Sequence, residues 1–259
     1  MSAQFATALA ALPVLLGLAV LAWAIATARR NVGLVDVFWP LFFLAAAVSY
    51  AIAAPVAGPR GWLVIALVTA WGLRLSGYLA ARNWNAPEDR RYRAIRERNE
   101  PGFAWKSLYL VFGLQAALAW VISAPLVPAI QAPGPLGIVD LAGAALAAFG
   151  IAYESIADRQ LARFLSEAGS SGRVMDRGLW RYSRHPNYFG ECCVWWGLYA
   201  IAAGAGGAWT IFAPILMTFL LLRVSGVSLL EKDIGERRPG YRAYVRRTNA
   251  FLPGPPRTA

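Results

Sequence analysis

The sequence predicts an all-α integral membrane protein: seven transmembrane helices in one polytopic domain over residues 1–259, N-terminus outside and C-terminus cytoplasmic. Three observations carry that expectation. The chain is 58% hydrophobic and only 15% charged, too apolar for an ordinary soluble domain. Apolar runs of membrane-crossing length recur along it. The basic residues gather in alternate connections, as the positive-inside rule requires.

The first run, residues 5–28, is closed by Arg29 and Arg30 and is long enough to cross a hydrocarbon core of roughly 30 Å as a helix. A signal peptide is the competing reading, but its basic residues should precede the run and a cleavage site should follow it. Further apolar runs lie at 33–55, 61–82, 107–130, 136–157, 188–206 and 208–230. Seven spans with the N-terminus outside put 29–32, 83–106, 158–187 and 231–259 in the cytoplasm. Of the 25 Lys and Arg, 21 fall in those segments and Arg82 borders one, against Arg60 outside and Arg74 and Arg223 within spans. The net charge of +11 therefore reads as topology plus attraction to anionic lipid headgroups and phosphate. No interleaved aromatic and basic surface suggests nucleic-acid binding.

Cys192 and Cys193 are adjacent, and a single histidine accompanies them, so neither a disulfide framework nor a metal site is expected. In 83–106, six basic residues lie between Arg90 and Lys106; most read as a solvated basic loop, and one or two could clamp a phosphate. The fifth run ends in Tyr153-Glu154-Ser155-Ile156-Ala157-Asp158, which sets Glu154 and Asp158 one helical turn apart. Such a pair could accept hydrogen bonds from ribose hydroxyls or an adenine amine, or Asp158 could simply pair with Arg159 or Arg163 at a helix end. Asp36, Arg74, Glu191 and Arg223 lie at membrane depth, where charge is costly and faces a cavity or a partner. Either phosphate contact or pairing of the two arginines with Asp36 and Glu191 would satisfy them.

The most informative stretch is Gly178-Leu-Trp-Arg-Tyr-Ser-Arg-His-Pro-Asn-Tyr-Phe-Gly-Glu191. Pro186 suits the first turn of a helix, and Asn187 and Glu191 then share one face with Tyr188 on the next. Downstream, Tyr241 and Tyr244 stand three apart on a short basic helix, which reads either as an amphipathic helix at headgroup level or as the roof of a nucleotide pocket.

Residues 184–191, with their Leu-Trp-Arg-Tyr-Ser approach, Arg223 one span later and the Tyr241/Tyr244 tail, resemble the membrane steroid 5-alpha-reductase family and its bacterial relatives. The resemblance covers chiefly 150–253, with support from Asp36 through Arg93. It implies a seven-helix oxidoreductase of a bacterial inner membrane, with NADPH bound at the cytoplasmic end and a steroid or similar lipid entering from the bilayer; a monomer is expected. Cofactor contacts carry over to Arg74, Asn83, Glu154, Asp158, Asn187, Tyr188, Glu191, Arg223, Tyr241 and Tyr244. The catalytic pair carries over as Asp36 and Tyr78, although animal members have a Glu in the second span and a Tyr that aligns here nearest to Trp71. A methyltransferase of the isoprenylcysteine or phospholipid type, using S-adenosylmethionine, shares the Arg-His-Pro-x-Tyr-x-Gly pattern and is the alternative, although only Glu231 stands where such enzymes carry a pair of acids. A transporter without chemistry is a further reading, against which the large polar loops argue.

Overall fold

The computed structural model describes residues 3–170, 172–224 and 240–257, and all regular structure among them is helical. Glu231 and the end of the 208–230 run lie outside the described residues. In chain order the helices are α1 (Ala3–Ala28), α2 (Val32–Ala53), α3 (Pro59–Asn83), α4 (Arg90–Asn99), α5 (Phe103–Ile122), α6 (Leu126–Gln131), α7 (Ile138–Ser166), α8 (Pro186–Gly204), α9 (Ala208–Val224) and α10 (Tyr241–Arg247). Among them α1, α2, α3, α5 and α7 are long and apolar enough to cross a membrane.

Local chemistry explains most boundaries. Helix α1 stops at a left-handed turn in which Asn31 N–H donates to the Ala26 carbonyl at 2.9 Å, with Arg30 at φ 51° where glycine is the usual residue. Helix α2 ends before Pro55, and α3 begins on Pro59, which needs no N–H partner there. Asp89 caps α4 by accepting from Arg91 N–H at 2.8 Å. The expected 107–130 span is two helices: α5 starts at Phe103 and ends at Ile122, and Ser123-Ala124-Pro125 turns the chain into α6. Proline at 125 cannot continue the ladder of α5. The fifth run also differs from expectation, because α7 continues nine residues beyond 157. Its 29 residues span roughly 43 Å at 1.5 Å per residue, so its C-terminal turns project past a hydrocarbon core.

The chain divides into two compact units, one formed by Met1–Asp140 with Ile201–Thr210, the other by Leu141–Ala200 with Ile211–Ala259. In the first, α2 and α3 pack through small groups: Ser76 Oγ donates to the Val37 carbonyl at 2.8 Å, and Gly72 faces the Pro40 carbonyl. Arg60, the lone basic residue on the expected outer side, is buried and bidentate to Asp140 at 2.7 and 2.8 Å. Its charge is thus matched locally and does not oppose the charge asymmetry.

In the second unit, α7 and α8 run antiparallel at very short distance. A Cβ on Gly150 would stand 2.6 Å from the Gly190 carbonyl oxygen, and one on Gly197 would stand 2.5 Å from that of Gly143. Without a hydrophobic force between helices in lipid, such backbone approach through small residues is what supplies contact energy. Gly150→Ala should therefore destabilise the protein by about 1–3 kcal/mol through overpacking, measured as a lowered thermal midpoint in detergent. Arg60→Ala should cost about 3–5 kcal/mol by stranding Asp140, whereas the double replacement Arg60→Met/Asp140→Leu should recover most of that loss in the same assay.

Candidate functional site

The glycine contact decides where the acidic residues of the second unit go. Gly190 is packed on Glu154, with the Glu154 Cβ only 2.7 Å from the place a Gly190 Cβ would occupy. Continuing the antiparallel register by one turn sets Asp158 level with the stretch 182–186. Glu154, Asp158 and Glu191 are all nearly inaccessible, at 2%, 3% and 6% exposure, as is His185 at 5%. Glu154 and Asp158 lie inside α7 and not at its end. Arg159 and Arg163, on the same helix, are exposed. Asn187 opens α8 beside Pro186, and its Oδ1 is buried without a hydrogen-bond partner among the described residues. Tyr188 stacks parallel on the His185 ring at 5.6 Å. Among the described residues no three His, Cys, Asp or Glu side chains are grouped to hold a metal.

The C-terminal segment clasps the motif loop. Arg184 N–H donates to the Asn249 carbonyl at 2.9 Å and its guanidinium to the Thr248 carbonyl at 2.6 Å. Ser183 Oγ donates to the Phe251 carbonyl at 2.8 Å, and Gly254 N–H to that of Tyr182 at 3.1 Å. Tyr241 and Tyr244 are buried within the protein, at 7% and 2% exposure. The Tyr244 hydroxyl donates to the Trp180 carbonyl and faces that of Ser183, while Trp180 Nε1 donates to the Ala157 carbonyl at 3.0 Å. Tyr244 is thus a pin that fixes α10 on the 180–183 turn, and the same chain of bonds ties that turn to α7. Arg223 is exposed, on a π-helical turn, Leu220–Val224, of the kind that often marks functional positions.

The remaining expected residues belong to the first unit. Arg74 and Tyr78 share one face of α3, a turn apart, with the Tyr78 hydroxyl and the Arg74 Nε buried. Arg82, the next residue along that face, lies over the Tyr78 ring at 5.5 Å and donates to Asn83 Oδ1 at 2.8 Å. Asp36 is not joined to Tyr78. Its carboxylate accepts from the Tyr92 hydroxyl at 2.5 Å and pairs with Arg91 at 3.2 Å. The physical reason is rotational: Ser76 and Gly72 form the face of α3 that meets α2, and Tyr78 lies two residues, about 200°, further round. Burial first, and then the neighbouring Asp36 carboxylate, push the Tyr92 phenol well above its ordinary value of 10.0.

Tyr92, Ser183 and Trp180 were not expected at functional positions, and neither was the Gly143/Gly150/Gly190/Gly197 contact. The last had a signal in the seven-residue glycine spacing repeated in α7 and α8, and Trp180 and Ser183 lie within the 178–191 stretch that the sequence singles out.

The family described as Protein of unknown function (DUF1295) matches residues 22–248 of the chain. Uncharacterized protein C594.04c of Schizosaccharomyces pombe is 26% identical over 263 residues, which cover 89% of this chain and 75% of the relative. No solved structure matches.

The Tyr92–Asp36 bond has a pH consequence. A phenol whose pKa is raised on folding contributes stability that is fully present below pH 10 and is lost as pH rises through the folded value. The thermal midpoint should accordingly fall above pH 10, and Tyr92→Phe should start from a lower midpoint at pH 8 and lose less on alkaline titration.

Proposed function

We propose that this chain, which belongs to the DUF1295 family, a family that includes steroid 5-alpha-reductase-like proteins, is an NADPH-dependent membrane reductase of a lipid carbon–carbon double bond conjugated to a ketone. A 3-oxo-4-ene steroid is the type substrate. The proposal includes seven spans, with α8 and the helix beginning at Ala208 as the sixth and seventh, the N-terminus outside and the chemistry at the cytoplasmic side of a bacterial inner membrane.

The observation that carries the reading is the buried set Glu154, Asp158, Asn187 and Glu191, gathered by the glycine contact and clasped by the C-terminal segment. These groups fit a dinucleotide. Buried carboxylates accept from ribose hydroxyls, and the Asn187 Oδ1 acceptor suits an amide or amine N–H. Arg159, Arg163, Arg181 and Arg223 are exposed cations of the same unit and supply charge for phosphates. No Gly-x-Gly-x-x-Gly element is needed when helices and loops do the holding.

When bound, NADPH supplies the hydride that reaches the β carbon of the enone. The protein must then stabilise the negative charge that develops on the ketone oxygen and provide a proton to the α carbon. Tyr78 is the proposed hydrogen-bond donor to that oxygen, with Arg74 one turn before it adding positive potential. Asp36, held by Tyr92 and Arg91, has the proposed role of positioning α4. An apolar surrounding strengthens each of these interactions and excludes water.

The decisive experiment measures the thermal midpoint of detergent-purified protein with NADPH, NADH and S-adenosylmethionine. A rise with NADPH, abolished in Asn187→Ala and Glu191→Ala variants that remain folded, is the expected result. A rise with S-adenosylmethionine alone would replace the reductase by a methyltransferase, and no rise with any ligand would favour a protein without this chemistry.

A further inference from the structure

A cavity of about 480 Å³ lies in the first unit and is lined by Thr27, Arg30, Val32, Arg96 and Ala104, none of them assigned above to cofactor or substrate. Its chemistry is cationic. Arg30 is exposed and makes no ion pair among the described residues. Arg96 gives Nε and one Nη to Glu88, at 3.0 and 2.8 Å, and its other Nη has no partner among the described residues. Arg29, over the Trp84 ring at 4.3 Å, and Lys106, donating to the Asn99 carbonyl at 2.9 Å, add charge nearby, against the carboxylates of Glu88 and of Glu100, which accepts from Phe103 N–H at 3.5 Å. Thr27 Oγ1 is buried without a hydrogen-bond partner among the described residues.

Two further features mark the cavity as more than a solvated basic loop. Arg30 occupies the left-handed position that closes α1, at φ 51°, where glycine would be unstrained. A long cationic side chain is kept there against the backbone's preference. The rim is aromatic and faces outward: Trp105 is 69% and Tyr109 62% exposed, Trp23 packs on Trp105 at 4.9 Å, and Trp23 Nε1 donates to the carbonyl of the lining residue Ala104 at 2.7 Å. Exposed tryptophan and tyrosine beside arginines is the composition of the membrane–water interface.

We propose that this cavity binds the phosphate of an anionic phospholipid headgroup, with Arg30 and Arg96 as its donors and the Trp105/Tyr109 rim against the acyl chains. The chemistry recognised is a phosphate group, and the aromatic rim assigns its source to lipid over a soluble phosphate. The site is separate from the reductase proposal and stands or falls without it.

The test uses the full chain in mild detergent, with binding followed by native mass spectrometry and by thermal midpoint during titration with phosphatidylglycerol, phosphatidylcholine or inorganic phosphate. Arg30→Gly removes the guanidinium while relaxing the backbone, so its lipid-free midpoint should equal or exceed that of the wild type; Arg30→Asn, which also tolerates the left-handed conformation, is the second variant. Phosphatidylglycerol should bind more tightly than phosphatidylcholine, and both variants should weaken it about fivefold, the effect of one cation near an anionic headgroup. Unchanged phosphatidylglycerol affinity in both variants, or equal affinity for the two lipids in the wild type, would overturn the proposal. Protection by inorganic phosphate with none by phosphatidylglycerol would overturn lipid as the ligand.

Discussion

The close approach of α7 and α8 is the constraint on which the second unit depends. In hydrocarbon, burying leucine against leucine gains little over leaving it in lipid, so helices must associate through dispersion contacts and polar bonds. Glycines at 143, 150, 190 and 197 remove the side chains that would hold the backbones apart. The approach carries a second consequence. It brings Glu154 onto the Gly190 backbone, next in sequence to Glu191, and both acidic residues are buried.

Buried ionisable groups in such a protein must be matched or used. In the first unit they are matched. Arg60 meets Asp140 in bidentate geometry, and Asp36 meets both Tyr92 and Arg91, which fastens the α4 loop to the start of α2. In the second unit the same economy appears as backbone bonds, with Tyr244, Ser183 and Arg184 satisfying carbonyls that a loop buried without partners would leave exposed to apolar surroundings. The Arg-His-Pro motif is consequently a structural joint as well as a candidate ligand region: its Arg184 holds the C-terminal segment, and its Asn187 keeps a buried acceptor available.

The separation of Asp36 from Tyr78 changes how the candidate site is read. Residues close in sequence pattern need not share a helix face, and a carboxylate that already accepts from a phenol and a guanidinium is poorly placed to act as a proton donor. Tyr78 and Arg74 instead share their own face of α3.

The sequence by itself determined the membrane character, the helical class and the approximate positions of the first five long helices, because apolar length and charge asymmetry are local properties that a bilayer reads directly. It also picked out Glu154, Asp158, Asn187 and Glu191, since polar side chains at the mouth of an apolar helix stand out. The tertiary structure alone decided the partners. That Arg60 meets Asp140 eighty residues away, that Tyr92 takes Asp36, and that Tyr244 of α10 turns inward to bind carbonyls of the 180–183 turn all depend on contacts distant in sequence. Helix ends were intermediate: Pro59 and Pro186 announced two of them, but the continuation of α7 to Ser166 reflects packing of Phe164 with Met175 and Trp180, which a hydropathy pattern does not encode.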